Sequence, residues 1–301
     1  MLKAIVVGRV CYDINIVVDK MPEPGTINEI FEKKGNLGGS GASMATYLAK
    51  WGIGTAFSGI LGNDVNGTRI RKEFEKFRID TRYIEQSYDN DTPISCVISD
   101  KSTKQTTIYN LSDKYVGLKK CDFDFMPDLI VLDGYDVVED KLILDRYPKA
   151  LTVLDASITT AAVSELLRRV KYAVCSQEFA ELYTGKKIDY QDPSSMIQVY
   201  QRLKKNNLKT EFVVTLGERG ALYSINNQIK VSPSLKVDVK DTHGAGYAFR
   251  AAFAYQIANG GDIEKAVKWG NIAAGLSCRE FGSQEGIPTL EEIKNIYEQN
   301  Y

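Results

Sequence analysis

Several features that would each settle the class of a chain are missing. No apolar stretch approaches the roughly 18–20 residues that a membrane-spanning helix needs, so no membrane partner is expected. No GxxxxGKS or GxxxxGKT occurs, which excludes a Walker-type phosphate loop. No GxGxxG follows the first apolar run either, which weakens a dinucleotide reading. The five cysteines (Cys11, Cys96, Cys121, Cys175 and Cys278) are scattered and include no CxxC pair. They read as free thiols of a reducing, cytoplasmic location rather than as a disulfide framework. Thirty-eight basic residues against 39 acidic ones leave a net charge of −1, with no run of one sign. Nothing therefore pulls the chain toward nucleic acid or an anionic membrane surface. The start, MLKAIVVGRVCYD, holds a short apolar run, but a polar segment follows it rather than a small-residue cleavage site. That run reads as a first β-strand.

What is present is ordinary for a soluble globular chain: 301 residues, 44% hydrophobic, 26% charged and 10% aromatic. The length suits two domains of roughly 150 residues, or one α/β domain with a small appendage. Short β-branched runs predict buried strands at Ala4–Val7, Leu129–Leu132, Leu151–Leu154, Tyr172–Val174 and Phe212–Leu216. Helical patterns cover Ser43–Trp51, Gly67–Phe77, Ala161–Val170, Pro193–Asn206, Gly246–Ala258 and Asp262–Arg279. The last has Asp262 as N-cap and Gly282 just past its end. Such alternation predicts a mainly parallel sheet with helices on both faces. Ile14–Lys34 and Thr92–Lys114 break the rhythm, with strand-like alternation and no crossover helix, and the second reads as a hairpin turning near Asp100–Thr103. These segments form either a small separate sheet over a cleft or edge hairpins on the main sheet.

In an open α/β sheet, ligands bind outside the carboxyl ends of the strands, and the Gly-rich segments point there. In VKDTHGAGYAFRAAF (Val239–Phe253), Gly244, Ala245 and Gly246 precede a helix, where backbone N–H groups and the helix dipole favour an anion. Close helix–strand packing explains such a turn about as well. TLGERGA (Thr215–Ala221) ends a strand in a turn that could form a ledge for nucleotide phosphate. Gly38–Gly39 precede a helix, GNDVNG follows at Gly62–Gly67, and Asp13 is expected to close the first strand and accept hydrogen bonds from substrate hydroxyls.

Taken together and in order, these motifs resemble the PfkB carbohydrate kinase family, with its ribokinase-like fold. The resemblance covers essentially the whole chain: GxxxxD at Gly8–Asp13, GG at Gly38–Gly39, GxDxxG at Gly62–Gly67, DG at Asp133–Gly134, TLGxxGA at Thr215–Ala221, DTxGAG at Asp241–Gly246 and GIPT at Gly286–Thr289. It implies one α/β domain over residues 1–301, an αβα sandwich with lid strands inserted from about 14–34 and 92–114. It also implies transfer of the ATP γ-phosphate to a hydroxyl of a sugar or sugar-like substrate, with Mg²⁺. Asp13, Gly38, Gly39 and Ser43 would then face the sugar. Ser176, Glu178, Thr215, Gly217, Gly220 and Asn271 would face the nucleotide and its Mg²⁺. Gly244, Ala245 and Gly246 would form the anion hole, and Asp241 would help organise a monovalent-cation (K⁺) loop. Relatives pair through the lid, which implies a homodimer.

The sequence departs from the family at its centre. The signature continues with an Asp that takes the proton of the attacking hydroxyl, and here that position is Tyr247. A phenol with a reference pKa near 10 is protonated at neutral pH, whereas a carboxylate near 4 is ready to accept. A positioned base contributes about 10²–10⁴-fold, and in-line geometry matters at least as much. Ala251 stands in place of a usual Gly, Arg250 in place of a small residue or His, and Ser43 in place of an Asn. The usual NxxE reads Ser176–Phe179, losing both ends. Three accounts stand: a pseudokinase that still binds nucleotide or sugar, a working kinase with another proton acceptor, or a competent enzyme altered at residue 247. Recruiting Asp241 as the base would need a rearrangement. His243, the only histidine, fills the signature's variable position and is expected at the nucleotide edge or in solvent rather than in catalysis.

Overall fold

Apolar runs without alternation are satisfied only in a sheet covered on both faces, and that is where they lie. The computed structural model describes residues 1–30, 32–111, 118, 122–158 and 161–301. In chain order the strands are β1 Lys3–Val7, β2 Cys11–Val18, β3 Glu32–Gly38, β4 Gly54–Gly62, β5 Ile84–Ser87, β6 Ile94–Asp100 and β7 Gln105–Leu111. They continue with β8 Leu129–Leu132, β9 Leu151–Ala156, β10 Tyr172–Ser176, β11 Glu211–Thr215, β12 Ala221–Ile225 and β13 Gln228–Ser232. The helices are α1 Ser40–Lys50, α2 Val65–Lys76, α3 Val137–Arg146, α4 Ala161–Leu166 and α5 Gln177–Thr184, then α6 Pro193–Lys205, α7 Ala245–Ala258, α8 Ile263–Ser277 and α9 Leu290–Asn300.

The large sheet has the order β13-β12-β11-β10-β9-β8-β1-β4-β5. It is parallel from β11 through β5, and the β11–β12 and β12–β13 pairings are antiparallel, so β12 runs against the rest. Alternate residues of one strand feed opposite cores: Ala4 and Val6 join residues of α1, α2, α7, α8 and α9, while Ile5 and Val7 join residues of α3, α4, α5 and α6. Helix α7, AGYAFRAAFAYQIA, is apolar nearly all round because it is packed between the sheet and α1 and α8.

The two segments outside the rhythm form a separate sheet, β3-β2-β6-β7, in which only the β2–β6 contact is parallel. Its strands begin earlier than expected, at Cys11, and run later, to Gly38. Asp13 therefore lies within lid strand β2 and does not close β1. The β6–β7 hairpin turns where expected, because Asp100 Oδ1 accepts hydrogen bonds from the backbone of Ser102 (2.7 Å) and Thr103 (3.2 Å). Residues 112–114 of the second segment, and Cys121, lie outside the described residues. The described cysteines are free.

Elsewhere the differences are local. The expected helix over 161–170 stops at Leu166. Asp262 caps α8 through Lys265 N (2.8 Å), but α8 ends at Ser277, and Gly282 instead donates its N–H to Asp241 Oδ2 (3.0 Å). Strand β4, interrupted by glycine and serine, has no sequence expectation behind it, and neither does α9. The latter opens on a reciprocal cap in which Thr289 Oγ1 accepts from Glu292 N and Glu292 Oε2 accepts from Thr289 N.

Candidate active site

The carboxyl ends of the central strands, the start of α7 and the underside of the lid enclose a cavity of about 200 Å³. Arg9, Asp13, Asn110, Tyr135, His243 and Tyr247 are among its walls. Asp13 is buried on β2, and its carboxylate occupies the space that a Cβ on Gly38 would need, 2.0 Å from Asp13 Cγ. A glycine at position 38 is thus what admits the acid. Asp13 Oδ1 accepts from Cys11 Sγ at 3.1 Å, and Asp13 Oδ2 lies 3.7 Å from His243 Nε2. That separation is within ion-pair reach but too long for a hydrogen bond. His243 Nε2 has no hydrogen-bond partner among the described residues, although it is buried. Its ring stands edge-on to Tyr247, with centroids 6.5 Å apart.

Asp133 at the end of β8 ties the frame together. Its Oδ2 accepts from Arg9 N (2.7 Å), Ser40 Oγ (2.6 Å) and Gly41 N (3.1 Å), and its Oδ1 accepts from Tyr135 N (3.2 Å). One carboxylate so fixes the turn after β1, the start of α1 and the loop after β8. Burial nevertheless dominates, and the Asp133 carboxyl is pushed up to about 6.

Gly244 is the N-cap of α7, with φ 86°, and Ala245 and Gly246 open the helix. Amides in this first turn have no intrahelical acceptor and lie at the positive end of the dipole. One turn on, Arg250 runs back beneath them: a Cβ on Gly246 would lie 2.6 Å from its Nη1. Arg250 Nε is 2.7 Å from Asp155 Oδ1 at the end of β9, and both side chains are buried. Burial pushes the Asp155 carboxyl up while Arg250 pulls it back. Tyr247 projects into the cavity, and burial pushes its phenol further above its usual range, with Asp155, Cys11 and Asp13 adding to the effect and Arg250 opposing it. A phenol so placed does not serve as a base near neutral pH.

Asp241 sits just before this turn and accepts four hydrogen bonds: from His243 N (2.9 Å), Gly282 N (3.0 Å), Ser99 Oγ of β6 (3.0 Å) and Thr106 Oγ1 of β7 (2.7 Å). Burial works against the charge, yet these donors hold the carboxyl below its usual range. The loop is thereby fastened to the lid, and His243 lies buried beside Asp13 rather than in solvent.

On the other side, Thr215 ends β11 with its hydroxyl on Cys175 O (3.2 Å), followed by a 3-10 turn, Gly217–Arg219, which opens on Gly217 at φ 59° and is closed by Gly220 at φ 96°. Ser176 Oγ caps α5 by accepting from Phe179 N (3.1 Å), and Glu178 is exposed in the first turn of that helix. Asn271 is buried, with its amide on Ser232 O (3.1 Å), so it fastens the β12–β13 hairpin.

The family model described as pfkB family carbohydrate kinase matches residues 1–290. The chain belongs to the PfkB family of carbohydrate kinases. It is 27% identical over 305 residues to the ribokinase of Staphylococcus aureus (strain COL), covering 98% of this chain and 99% of that one. It is 25% identical over 313 residues to the deoxyribokinase of Salmonella typhi, covering 98% of each. The structure of Arabidopsis thaliana ribokinase complexed with ribose and ATP shares the fold, with a TM-score of 0.82 at 21% identity, covering 98% of this chain and 99% of that one.

Within this PfkB fold, Asp13, Gly39, His243 and Tyr247 meet in the one cavity, and Gly38 backs it. Ser43 does not line it; that helix contributes Ser40 instead, and the buried Ser43 hydroxyl has no hydrogen-bond partner among the described residues. Arg9, Asn110 and Tyr135 carry no sequence expectation. The available signal for Arg9 was its place directly after Gly8, at the carboxyl end of the first strand.

Proposed function

We propose that this PfkB-family protein transfers the γ-phosphoryl group of ATP to a hydroxyl of a small, sugar-like substrate held in the cavity, and that His243, not residue 247, takes the hydroxyl proton. The observation that carries the reading is His243 Nε2, buried, unpartnered and 3.7 Å from Asp13 Oδ2 in the wall of the cavity. Catalytic hydrogen bonds are often long before substrate arrives. A hydroxyl set beside both atoms gives its proton to Nε2, and the Asp13 carboxylate stabilises the imidazolium. As the substrate oxygen bonds to the γ-phosphorus, the bond to the β,γ-bridging oxygen breaks and ADP leaves with that electron pair. The amides opening α7 face the charge of the transferred group.

Magnesium fits the donor set through water. Glu178 is exposed with no hydrogen bond or ion pair among the described residues, and Mg²⁺ keeps several waters while meeting one or two carboxylates and the phosphates. Bound there, it would neutralise charge on the β- and γ-oxygens. K⁺ does not fit Asp241 as a direct ligand, because its oxygens already accept four protein hydrogen bonds. Buried free thiols support a reducing, cytoplasmic setting. Pairing of two copies through the lid is supported by Tyr109 and Leu111, exposed on the open edge strand β7.

A second reading, a binding protein silenced at the base position, is favoured by the Tyr247 phenol itself. ADP release over sugars and sugar acids separates the two, with wild type, His243→Gln and Tyr247→Asp run together. Wild-type turnover that falls about 10²–10⁴-fold in His243→Gln is expected. Turnover confined to Tyr247→Asp would establish the silenced reading, and a His243→Gln variant as fast as wild type would remove His243 from the mechanism.

A further inference from the structure

Arg9 is a cation in the wall of the acceptor cavity with no anion to meet. Its Nη1 donates to Tyr135 Oη (3.0 Å), its Nη2 donates to Asn110 Oδ1 (3.1 Å), and the guanidinium lies 5.3 Å from the Tyr135 ring centroid. Both hydrogen-bond partners are neutral. Among the described residues, no carboxylate lies within ion-pair distance of it, in contrast to Arg250, which Asp155 neutralises. A guanidinium has five N–H donors in a planar fork, and two contacts leave three of them open. The fork is held in place from two sides, by the lid through Asn110 and by the loop after β8 through Tyr135.

A continuous polar wall leads from this cation to the acid across the cavity. Asn110 Oδ1, which Arg9 meets, also accepts from Ser95 Oγ (3.0 Å); Ser95 Oγ lies 3.3 Å from Cys11 Sγ, and Cys11 Sγ donates to Asp13 Oδ1 (3.1 Å). The cavity therefore has two poles. One, Asp13 with His243, suits hydroxyls. The other, Arg9, suits a carboxylate, which the guanidinium fork matches in shape and charge. The volume of about 200 Å³ is below the roughly 300–1,000 Å³ of drug-sized sites and suits a short chain.

We infer that the substrate of this site is a sugar acid, a short polyhydroxylated carboxylate whose carboxylate is held by Arg9 and whose hydroxyls meet Asp13. This deepens the reading of the cavity as the acceptor site and rests on it. Because it concerns recognition, it is tested by binding rather than by turnover. Calorimetric titration of the whole protein with matched alditols and aldonates (ribitol against ribonate, sorbitol against gluconate) and with ribose 5-phosphate would be run for wild type, Arg9→Gln and Arg9→Lys. ATP binding serves as the check that each variant is folded.

The expected result is aldonate binding about 10–100-fold tighter than alditol binding in wild type. That preference should vanish in Arg9→Gln and survive in part in Arg9→Lys, which keeps the charge but loses the fork. Alditols binding as tightly as aldonates, or a preference that persists in Arg9→Gln, would overturn the inference. So would an Arg9→Gln variant that weakens ATP or alditols as much as aldonates. Ribose 5-phosphate binding more tightly than ribonate through Arg9 would replace the carboxylate by a phosphate and overturn the sugar-acid assignment. If ATP binds but no member of the panel does, the reading of the cavity as an acceptor site falls, and this inference falls with it.

Discussion

The two halves of the site are made of different material. The half that the proposed reading gives to the nucleotide is largely backbone: the left-handed turns at Gly217 and Gly220, the helix start at Gly244 and the carboxyl ends of β10 and β11. The half that faces the cavity is made of side chains from distant segments: Arg9, Asp13, Asn110, Tyr135, His243 and Tyr247. Backbone donors are indifferent to most substitutions, so that half persists while side chains around it change. A side-chain wall changes its chemistry with each exchange: Tyr247 stands in it, whereas Ser43 does not line the cavity, Arg250 braces the start of α7, and Ser176 and Phe179 fall in the other half.

The sharpest way to break this division is at Arg250, where a side chain supports the backbone half. Arg250→Met leaves Asp155 buried without its cation and is expected to cost about 3–5 kcal/mol in urea unfolding. Adding Asp155→Leu should recover most of that loss. A loss below about 1 kcal/mol in the single variant would mean that the start of α7 stands without the pair. Asp133 gives the next effect, through pH. Its carboxyl sits at about 6 in the folded protein against an ordinary 3.8. The folded state therefore binds the proton more tightly, and ionisation costs stability in full above about pH 6. On falling from pH 7 to pH 4, wild type should gain stability relative to Asp133→Asn by on the order of 3 kcal/mol. Asp241, held below its usual range, acts with the opposite sign and only at lower pH, where its contribution is lost. A wild-type-minus-variant difference that stays flat across that window would show that Asp133 is not strained by burial. The smallest effect belongs to the backbone half: Gly217→Ala forces a side chain into a φ of 59° with no neighbour within 4 Å, and should cost about 1–2 kcal/mol without altering what the cavity binds.

Much of the frame was legible because it rests on local rules. Uninterrupted β-branched runs gave the central strands and Asp262 gave the start of α8, while the two segments without a helix left a separate sheet and edge hairpins both open until the family resemblance pointed to a lid. Strand β4 was hidden by its glycines and serines, which lower strand propensity until tertiary burial overrides it. Helix α9 carried a readable signal in Thr289 and Glu292, three residues apart. The site divides in the same way. Gly38, Gly39 and Gly244 could be found from turn chemistry. The orientation of His243 could not, because it depends on Asp241 being fastened to Ser99 and Thr106, more than a hundred residues away in the chain. Arg9 stood at a variable position inside a recognised motif, Gly8–Asp13, but only the folded lid brings Asn110 against it.

The division also bears on how such a protein could be rebuilt. Asp13, Ser95 and Asn110 all belong to the four-stranded sheet, while Arg9, Tyr135 and His243 stay with the body. On the proposed reading, grafting this sheet onto another scaffold would transplant half of a recognition code, Asp13 without His243 and Asn110 without Arg9. The other half would remain with the host, and a chimera would recognise its new substrate only where the two inherited halves happened to agree.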